Sequence, residues 1–559
     1  MAMHNAGNIG KIKKRDDFRG KYPDHLNEDV SYHLGWALME TVLKQPEGGN
    51  GRTPEVAVGW DARLSSPSLA RALMLGLSEH GATVQSVGQC SSEMLYFAVG
   101  SRETMAGGVM ITASHNPKDE NGFKIVKRGA ESISGAELNA IAAKTGELLA
   151  RDVQPACSLP VGEAYADRVI QESGIRRQWD EGGRHVVVQA VLEHGKPQTA
   201  QEVACDGGPL RVVVEAGNGV GALAFREVAR KLPYLDVLYF NARPNGEFPI
   251  CLPNPVKPDY MGMVREHVLD NGADVGLAFD GDGDRVGAVD SQGQIITPSE
   301  VMAIIVDRLL PDEDADGNPL EHGDKEIMYN LTCSRLVPDL VRSKGATALM
   351  TPVGHGQIKP ILRVHSVDDY REKKQRTCVF AGEHSGHYFF PTFYYADSGT
   401  TAGLMILEQV LSLRAQNRGL HERIAAWRRR YFAIPETNFD MRRPDPTIDK
   451  AKQDALLDGC VRAVEKYGNE RGGKRIEVYD VVPDPAHPEV AWPSLKLEFE
   501  DDGYDWWLCV RPSGNEPLLR LNLEIILRDE GIEAGGDGPA LLQAKSAELV
   551  EIIGPQYLE

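Results

Sequence analysis

The sequence predicts an α/β protein of several domains with largely parallel sheets. Three observations carry this. Short apolar runs alternate repeatedly with amphipathic stretches of helical period, the pattern of strands joined by crossover helices. The 559 residues exceed what one hydrophobic core can hold. Beyond a Pro-containing stretch at 433–446 the pattern changes to a more alternating, sheet-like character. Taken in order, 55–58, 108–111, 211–215, 275–279 and 378–380 read as strands, and 68–80, 222–232 and 401–415 as helices. Polar residues 178–184 read as a boundary, and 196–208, 312–325 and the charged run 368–376 as surface insertions. The stretch 433–446 reads as a linker. The division expected is 1–175, 176–292, 293–432 and 433–559, with no short-period repeat.

Composition narrows the function. Hydrophobic residues make up 42% and charged residues 25%, ordinary for a soluble globular chain. A net charge of −20 argues against nucleic acid or an anionic membrane as partner, so any anionic substrate must be gripped by local Lys and Arg. No apolar run approaches the ~18 residues of a membrane span. The basic N-terminus lacks the apolar core of a secretory signal. Cysteines at 90, 157, 205, 251, 333, 378, 460 and 509 form no CxxC pair and no zinc spacing. They read as reduced thiols, and the expected location is the cytoplasm.

Asp280-Gly281-Asp282-Gly283-Asp284-Arg285 follows the apolar run 275–279, at a strand end. Three carboxylates this close repel one another unless a cation lies between them, and glycine lets the backbone turn them toward one point. Oxygen-only ligands suit a hard divalent ion, and Mg²⁺ is the default where a phosphate supplies further oxygens. A calcium hand would need Gly and Glu where Arg285 and Ser291 stand. The stretch reads as a metal site on Asp280, Asp282 and Asp284, over the alternative of a solvated acidic turn.

Three more clusters carry chemistry. Thr112-Ala113-Ser114-His115-Asn116-Pro117 ends a strand in a turn, which offers Ser114 as a nucleophile. No G-x-S-x-G elbow is present, which disfavours acyl transfer. Downstream, Lys124 could neutralise phosphate charge. Gly382-Glu383-His384-Ser385-Gly386-His387 alternates Glu and Ser that can bind vicinal sugar hydroxyls, with histidines as proton carriers; a polar loop is the alternative. Arg511-Pro512-Ser513-Gly514-Asn515-Glu516-Pro517 combines a guanidinium, a hydroxyl and free backbone N–H groups as an anion cradle, or forms a Gly/Pro turn. Gly217-Asn218-Gly219-Val220-Gly221-Ala222 matches a dinucleotide fingerprint formally, but a tight strand-to-helix turn requires the same glycines, and the structural reading is preferred.

Together and in this order, with Asp17-Phe18-Arg19-Gly20, Asn121-Gly122-Phe123-Lys124 and Gly354-His355, these clusters resemble the α-D-phosphohexomutase family, in its phosphomannomutase/phosphoglucomutase branch. The resemblance spans nearly the whole chain. It implies three related α/β domains and a smaller C-terminal α+β domain around a central cleft. Ser114 would carry a phosphoryl group, with Asp280, Asp282 and Asp284 holding Mg²⁺ against it. Glu383 and Ser385 would bind sugar hydroxyls. Arg511, Ser513, Gly514 and Asn515 would hold the non-reacting phosphate. Arg19, His115, Lys124, Arg285, His355 and His387 would surround the reacting phosphate or shuttle protons. The activity implied is interconversion of hexose 1- and 6-phosphates of mannose or glucose through a hexose 1,6-bisphosphate, which also serves as activator, in a monomer or a dimer. Phosphoglucosamine mutase, a metal-dependent sugar phosphatase and an inactive sugar-phosphate binder are the alternatives. His384 lowers the first, since glucosamine-specific relatives typically carry Gln there. Two departures stand out. Thr332 occupies a position where the family often has lysine, which could shift phosphate binding to Arg335. Asn515 replaces the usual Thr but keeps its hydrogen-bonding capacity.

Overall fold

The computed structural model describes residues 9–43, 53–151, 208–230, 232, 234–313, 318–445, 447–476, 494–513, 518–533 and 535–559. The expected boundary at 178–184 and nearly all of the insertion at 196–208 lie outside them.

Three successive units repeat one topology. The first sheet contains β1 (Phe18–Lys21), β2 (Glu55–Trp60), β3 (Thr83–Gln89), β4 (Met105–Ile111), β5 (Glu120–Lys127) and β6 (Glu131–Ser132), in the order β1-β5-β4-β2-β3 with β6 beside β5. The second runs β11-β10-β9-β7-β8, from β7 (Leu210–Glu215), β8 (Leu235–Phe240), β9 (Val275–Phe279), β10 (Val286–Asp290) and β11 (Ile295–Ile296). The third runs β13-β12-β14-β15-β16, from β12 (Lys325–Asn330), β13 (Thr347–Thr351), β14 (Thr377–Gly382), β15 (Tyr388–Phe390) and β16 (Ala396–Asp397). In each, a central strand pairs in parallel on both sides: β2 with β3 and β4, β7 with β8 and β9, β12 with β13 and β14. An antiparallel strand then follows: β5, β10 or β15. The turn into that antiparallel strand is the same topological position three times over. It holds Ser114, then the Asp280–Asp284 cluster, then Glu383 and Ser385.

The parallel strands are apolar because both faces are covered. All five residues of Val275–Phe279 are buried, as are five of the six of Leu210–Glu215, all but Arg211. Sequence-encoded caps start the helices. Thr297 and Glu300 form a capping box on Pro298–Leu309, and Ser398 accepts from Thr401 N at the start of Gly399–Ala415. One buried apolar cluster runs from Tyr96 and Phe97 through Phe225 and Phe279 to Met302, Phe380 and Leu404, so the three units share a continuous core.

The last unit is an antiparallel sheet, β17-β22-β21-β20-β19 with β18 beside β22: β17 (Tyr431–Ala433), β18 (Thr437–Asp440), β19 (Lys474–Ile476), β20 (Leu495–Asp501), β21 (Tyr504–Pro512) and β22 (Leu518–Leu527). The helices Lys450–Glu470 and Gly538–Ile553 pack with it through Val464, Leu549 and Ile553. Two expectations change here. The stretch 433–446 is not a free linker, because β18 within it pairs with β22. The charged run 368–376 forms the short helix Asp368–Lys374, tied by an Asp368–Arg371 pair one turn apart. The six described cysteines are free thiols, five of them buried. No helix among the described residues is long and apolar enough to cross a membrane.

Candidate active site

Ser114 sits at φ 53°, a left-handed conformation that a serine adopts only when its surroundings impose it. The imposing group is Arg63, which the sequence reading did not single out. Its buried guanidinium donates to the carbonyls of Ser114 (2.9 Å), Asn116 (2.7 Å), Pro117 (2.6 Å) and Glu120 (3.0 Å), so the whole turn wraps round it. Asp61 holds Arg63 Nε at 3.1 Å and accepts from Thr112 Oγ1 at 2.8 Å, and Thr112 Oγ1 accepts from Ser114 N at 2.9 Å. Arg19, paired with Asp17 at 2.8 Å, donates to Ala113 O and Asn116 Oδ1. No local sequence pattern marks Asp61 or Arg63, because the Thr112 hydroxyl that Asp61 holds and the carbonyls that Arg63 binds lie more than fifty residues downstream.

The acidic loop docks onto this turn. A Cβ at Gly281 would lie 2.5 Å from Ser114 O, and one at Gly219 would lie 2.7 Å from Gly281 O. Gly219 is therefore needed by a backbone stack, and Gly217 and Gly221 by close packing on Pro253 and Phe279, in line with the structural reading of that motif. Ser114 Oγ donates to Asp280 Oδ2 (3.0 Å) and accepts from Arg285 Nη2 (2.9 Å). Arg285 also donates to His115 Nδ1. A guanidinium only donates, so Nδ1 is an acceptor and the proton of a neutral imidazole lies on Nε2. Burial, with Arg285 and Arg19 adding to it, holds His115 well below the usual histidine range.

Asp280, Asp282 and Asp284 are all fully buried, and one carboxylate oxygen from each lies within 4.8 Å of the others. Lys124 bonds Asp282 Oδ2 at 2.6 Å and also Asp284 Oδ2. Asp282 Oδ1 and Asp284 Oδ1 have no hydrogen-bond partner although buried. Burial and the two neighbouring carboxylates push Asp280 well above the usual range. Burial would raise Asp282 too, but Lys124 overrides it and holds the group down to about 2. Three buried carboxylates grouped this closely, two of them with an unpartnered oxygen, fit a hard divalent cation.

The third unit closes the site. His387 pairs with Arg285 across an isolated antiparallel bridge, and its Nδ1 lies 3.0 Å from Ser385 Oγ. Its Nε2 lies 3.6 Å from Asp284 Oδ1 and 3.7 Å from Asp397 Oδ2. His355 begins the helix His355–Ser366 with its ring 6.0 Å from that of His387. Burial, reinforced by nearby Lys and Arg, holds both imidazoles well below their ordinary range. Glu383 Oε1 accepts from Gly354 N (2.7 Å) and Asn330 Nδ2 (3.1 Å), while Oε2 lies 3.5 Å from Ser385 Oγ. His384 Nδ1 is 2.9 Å from Ser299 Oγ.

In the last unit, Arg511 lies next to the end of β21 and pairs with Glu436 at 3.0 Å; Arg520 pairs with the same carboxylate at 3.0 Å. Ser513 follows, its N–H donating to Leu518 O. Gly514 and Asn515 lie outside the described residues. Arg335, to which phosphate binding could shift in the absence of a lysine at Thr332, is engaged by carboxylates. Arg335 bonds Asp505 at 2.8 Å and Asp339 at 3.3 Å, and Thr332 Oγ1 turns to Asn330 Oδ1. A cation does stand nearby. Arg15, bound to Asp16 at 2.9 Å, lies against Gly354, and its charge reaches both Glu383 and Arg511. The sequence reading passed over it as one basic residue in a basic N-terminus.

Comparison with known proteins agrees with this geometry. Residues 10–151, 190–293 and 297–431 match the family descriptions phosphoglucomutase/phosphomannomutase, alpha/beta/alpha domains I, II and III. A Xanthomonas campestris pv. campestris protein named phosphohexose mutases is 29% identical over 544 residues, 97% of this chain and 98% of its own length. The phosphomannomutase/phosphoglucomutase of Pseudomonas putida is 31% identical over 430 residues, 76% and 78% of the two chains. A solved phosphoglucomutase/phosphomannomutase family protein from Burkholderia thailandensis shares the fold, with a TM-score of 0.67 over 98% of each chain at 24% identity. Fold and site define an enzyme of the phosphotransferring mutase class. The chain belongs to the phosphoglucomutase/phosphomannomutase family, the α-D-phosphohexomutases.

Proposed function

We propose that the chain interconverts hexose 1-phosphates and hexose 6-phosphates, of mannose and of glucose, through a phosphorylated Ser114 and a hexose 1,6-bisphosphate. The observation that carries this is the position of Ser114 Oγ, hydrogen-bonded to both Asp280 and Arg285 beside a buried three-carboxylate cluster. Phosphoryl transfer needs charge neutralisation and alignment, which this junction offers.

Asp280, Asp282 and Asp284 would hold Mg²⁺, which when bound neutralises phosphate charge at the serine. In the first half-reaction the P–O bond to Ser114 breaks and one forms to O6 or O1 of the sugar phosphate. The sugar hydroxyl proton passes to a neutral imidazole and a proton returns to the leaving Ser114 Oγ; His387, His355 and His115 are all kept neutral by burial. The bisphosphate then reverses, and its other phosphate returns to Ser114. Lys124, Arg285 and Arg19 balance the charge of the transferring group. Arg511, Ser513, Gly514 and Asn515 hold the other phosphate, and the sequence divides functionally at 1–175, 176–292, 293–432 and 433–559, one loop from each. The site of action is the cytoplasm.

Glu383 and Ser385 read hydroxyls whose stereochemistry glucose and mannose share. The two sugars should therefore be used with kcat/KM within roughly 10- to 100-fold of each other. The test is a panel of glucose, mannose and glucosamine 1-phosphates, scored for 6-phosphate formation and for free phosphate. Release of phosphate without isomer would make the chain a phosphatase, and a preference for glucosamine 1-phosphate over both neutral sugars would overturn the substrate reading.

A further inference from the structure

The helix Ser92–Gly100 begins beside the acidic loop, and its first residues lie in none of the motifs above. Ser91 and Ser92 are fully buried and Glu93 nearly so. Ser92 N donates to the carbonyl of Asp282 at 2.9 Å, and Ser92 Oγ donates to Asp282 Oδ2 at 2.7 Å. Lys124 already supplies a charged donor to that same oxygen at 2.6 Å. Two donors on one oxygen fix the carboxylate torsion and leave Oδ1, buried and without a partner, pointing away from both.

The next residue reaches a different unit. Glu93 accepts from Ser398 Oγ (2.6 Å), from Thr400 N (3.2 Å) and from Thr400 Oγ1, at the start of the helix Gly399–Ala415. Consecutive residues of the first unit thus grip the acidic loop of the second and a helix start of the third. A hydroxyl serving only to seal the interface would be satisfied by any acceptor. This one reinforces a carboxylate that already has a partner, whose remaining oxygen is buried and unpartnered, and which belongs to a group of three aspartates with an oxygen each within 4.8 Å of the others.

We propose that Ser92 is a positioning residue for the divalent-cation site. Its hydroxyl holds Asp282 Oδ2 so that Oδ1 is presented to the cation, and Glu93 makes that presentation depend on the docked third unit. This rests on the reading that the acidic loop binds a divalent cation. Outer-shell partners of metal ligands typically affect affinity 10- to 100-fold.

The test uses the full chain and Mn²⁺ alone, with no sugar phosphate, followed by calorimetry or electron paramagnetic resonance. Ser92→Ala should raise the Mn²⁺ Kd by about tenfold or more, while its melting midpoint in EDTA stays within about 3 °C of wild type. Ser92→Thr, which keeps the hydroxyl, should bring the Kd back to within about threefold. Glu93→Gln should raise it by a smaller factor. If Ser92→Ala does not fold, Ser92→Cys, a weaker donor, replaces it. A Ser92→Ala Kd within about twofold of wild type would overturn the positioning role, and an unchanged Glu93→Gln Kd would overturn the link to the third unit. Wild type that binds no Mn²⁺ would instead sink the cation reading beneath both.

Discussion

The junction around Ser114 and the Arg511 corner, both proposed to handle phosphate charge, are built differently. At the junction the three aspartates are fully buried, and Lys124, Arg19 and Arg63 are each held by two or more hydrogen bonds. At the corner, Arg511 and Arg520 share the single carboxylate of Glu436, whose side chain is 29% exposed. Buried, multiply bonded groups keep their geometry in the absence of substrate; a partly exposed ion pair on one shared carboxylate exchanges partners more readily. The contrast fits a centre that must align a transfer and a cradle that must accept either end of a turning intermediate.

The largest effect should come from breaking the rigid side. Ser114→Ala removes the one hydroxyl that meets both Asp280 and Arg285. Turnover should fall to background with the fold retained, and mass spectrometry of wild type should find phosphate on Ser114. Near-normal turnover of Ser114→Ala would end the covalent mechanism.

The rigidity itself can be probed by pH. Burial raises the Glu93 carboxyl to about 7, from an ordinary 4.5. Below pH 4.5 it is protonated in folded and unfolded chains alike. Between there and about 7 the unfolded chain ionises and the folded chain does not. Stability contributed by this group is therefore lost as pH rises through that window, by about 3 kcal/mol in total. Glu93→Gln has no such loss. In urea titrations its stability relative to wild type should climb by that order across the window. A difference that stays flat with pH would mean that Glu93 is less tightly enclosed than its contacts indicate.

On the adaptable side, Arg511→Ala should cost on the order of 1.5–3 kcal/mol in substrate binding, as for a lost charge-assisted hydrogen bond. KM should rise, release of the bisphosphate should rise with it, and Mn²⁺ affinity should not change. Unaltered KM and intermediate release would leave Arg511 as a surface ion pair.

The same contrast explains what could be read from sequence. The five expected strands and three expected helices lie within a residue or three of those observed, because apolar period and burial are local matters. Asp280, Asp282 and Asp284 stood out because their chemistry is compressed into five residues. Arg63, Ser92 and Arg15 did not, because each acts on a partner far along the chain. Ser92 meets Asp282 across 190 residues, and nothing near either residue announces the other. The stretch 433–446 was misleading for a related reason. Its prolines look like a linker, but β18 within it pairs into the last sheet and Glu436 within it pairs with Arg511. Arg335 was drawn off by Asp505, which only the fold brings within reach.

The smallest effect should be the most diagnostic of the corner. If Arg511 holds phosphate as proposed, Glu436 competes with it for Arg511 and Arg520; burial alone would raise the Glu436 carboxyl, and the two arginines instead hold it below the ordinary range. It is therefore ionised at neutral pH and must yield when a phosphate arrives. Glu436→Gln keeps the shape and removes the competing charge. The pair being partly exposed, the gain should be no more than about 1 kcal/mol, or roughly fivefold in KM. Tighter binding on a part that must let go also slows release, so kcat should fall by a similar factor while kcat/KM stays near wild type. A rise in KM would show that Glu436 aligns the arginines for phosphate instead of competing with it, and would move the corner to the rigid side of the comparison.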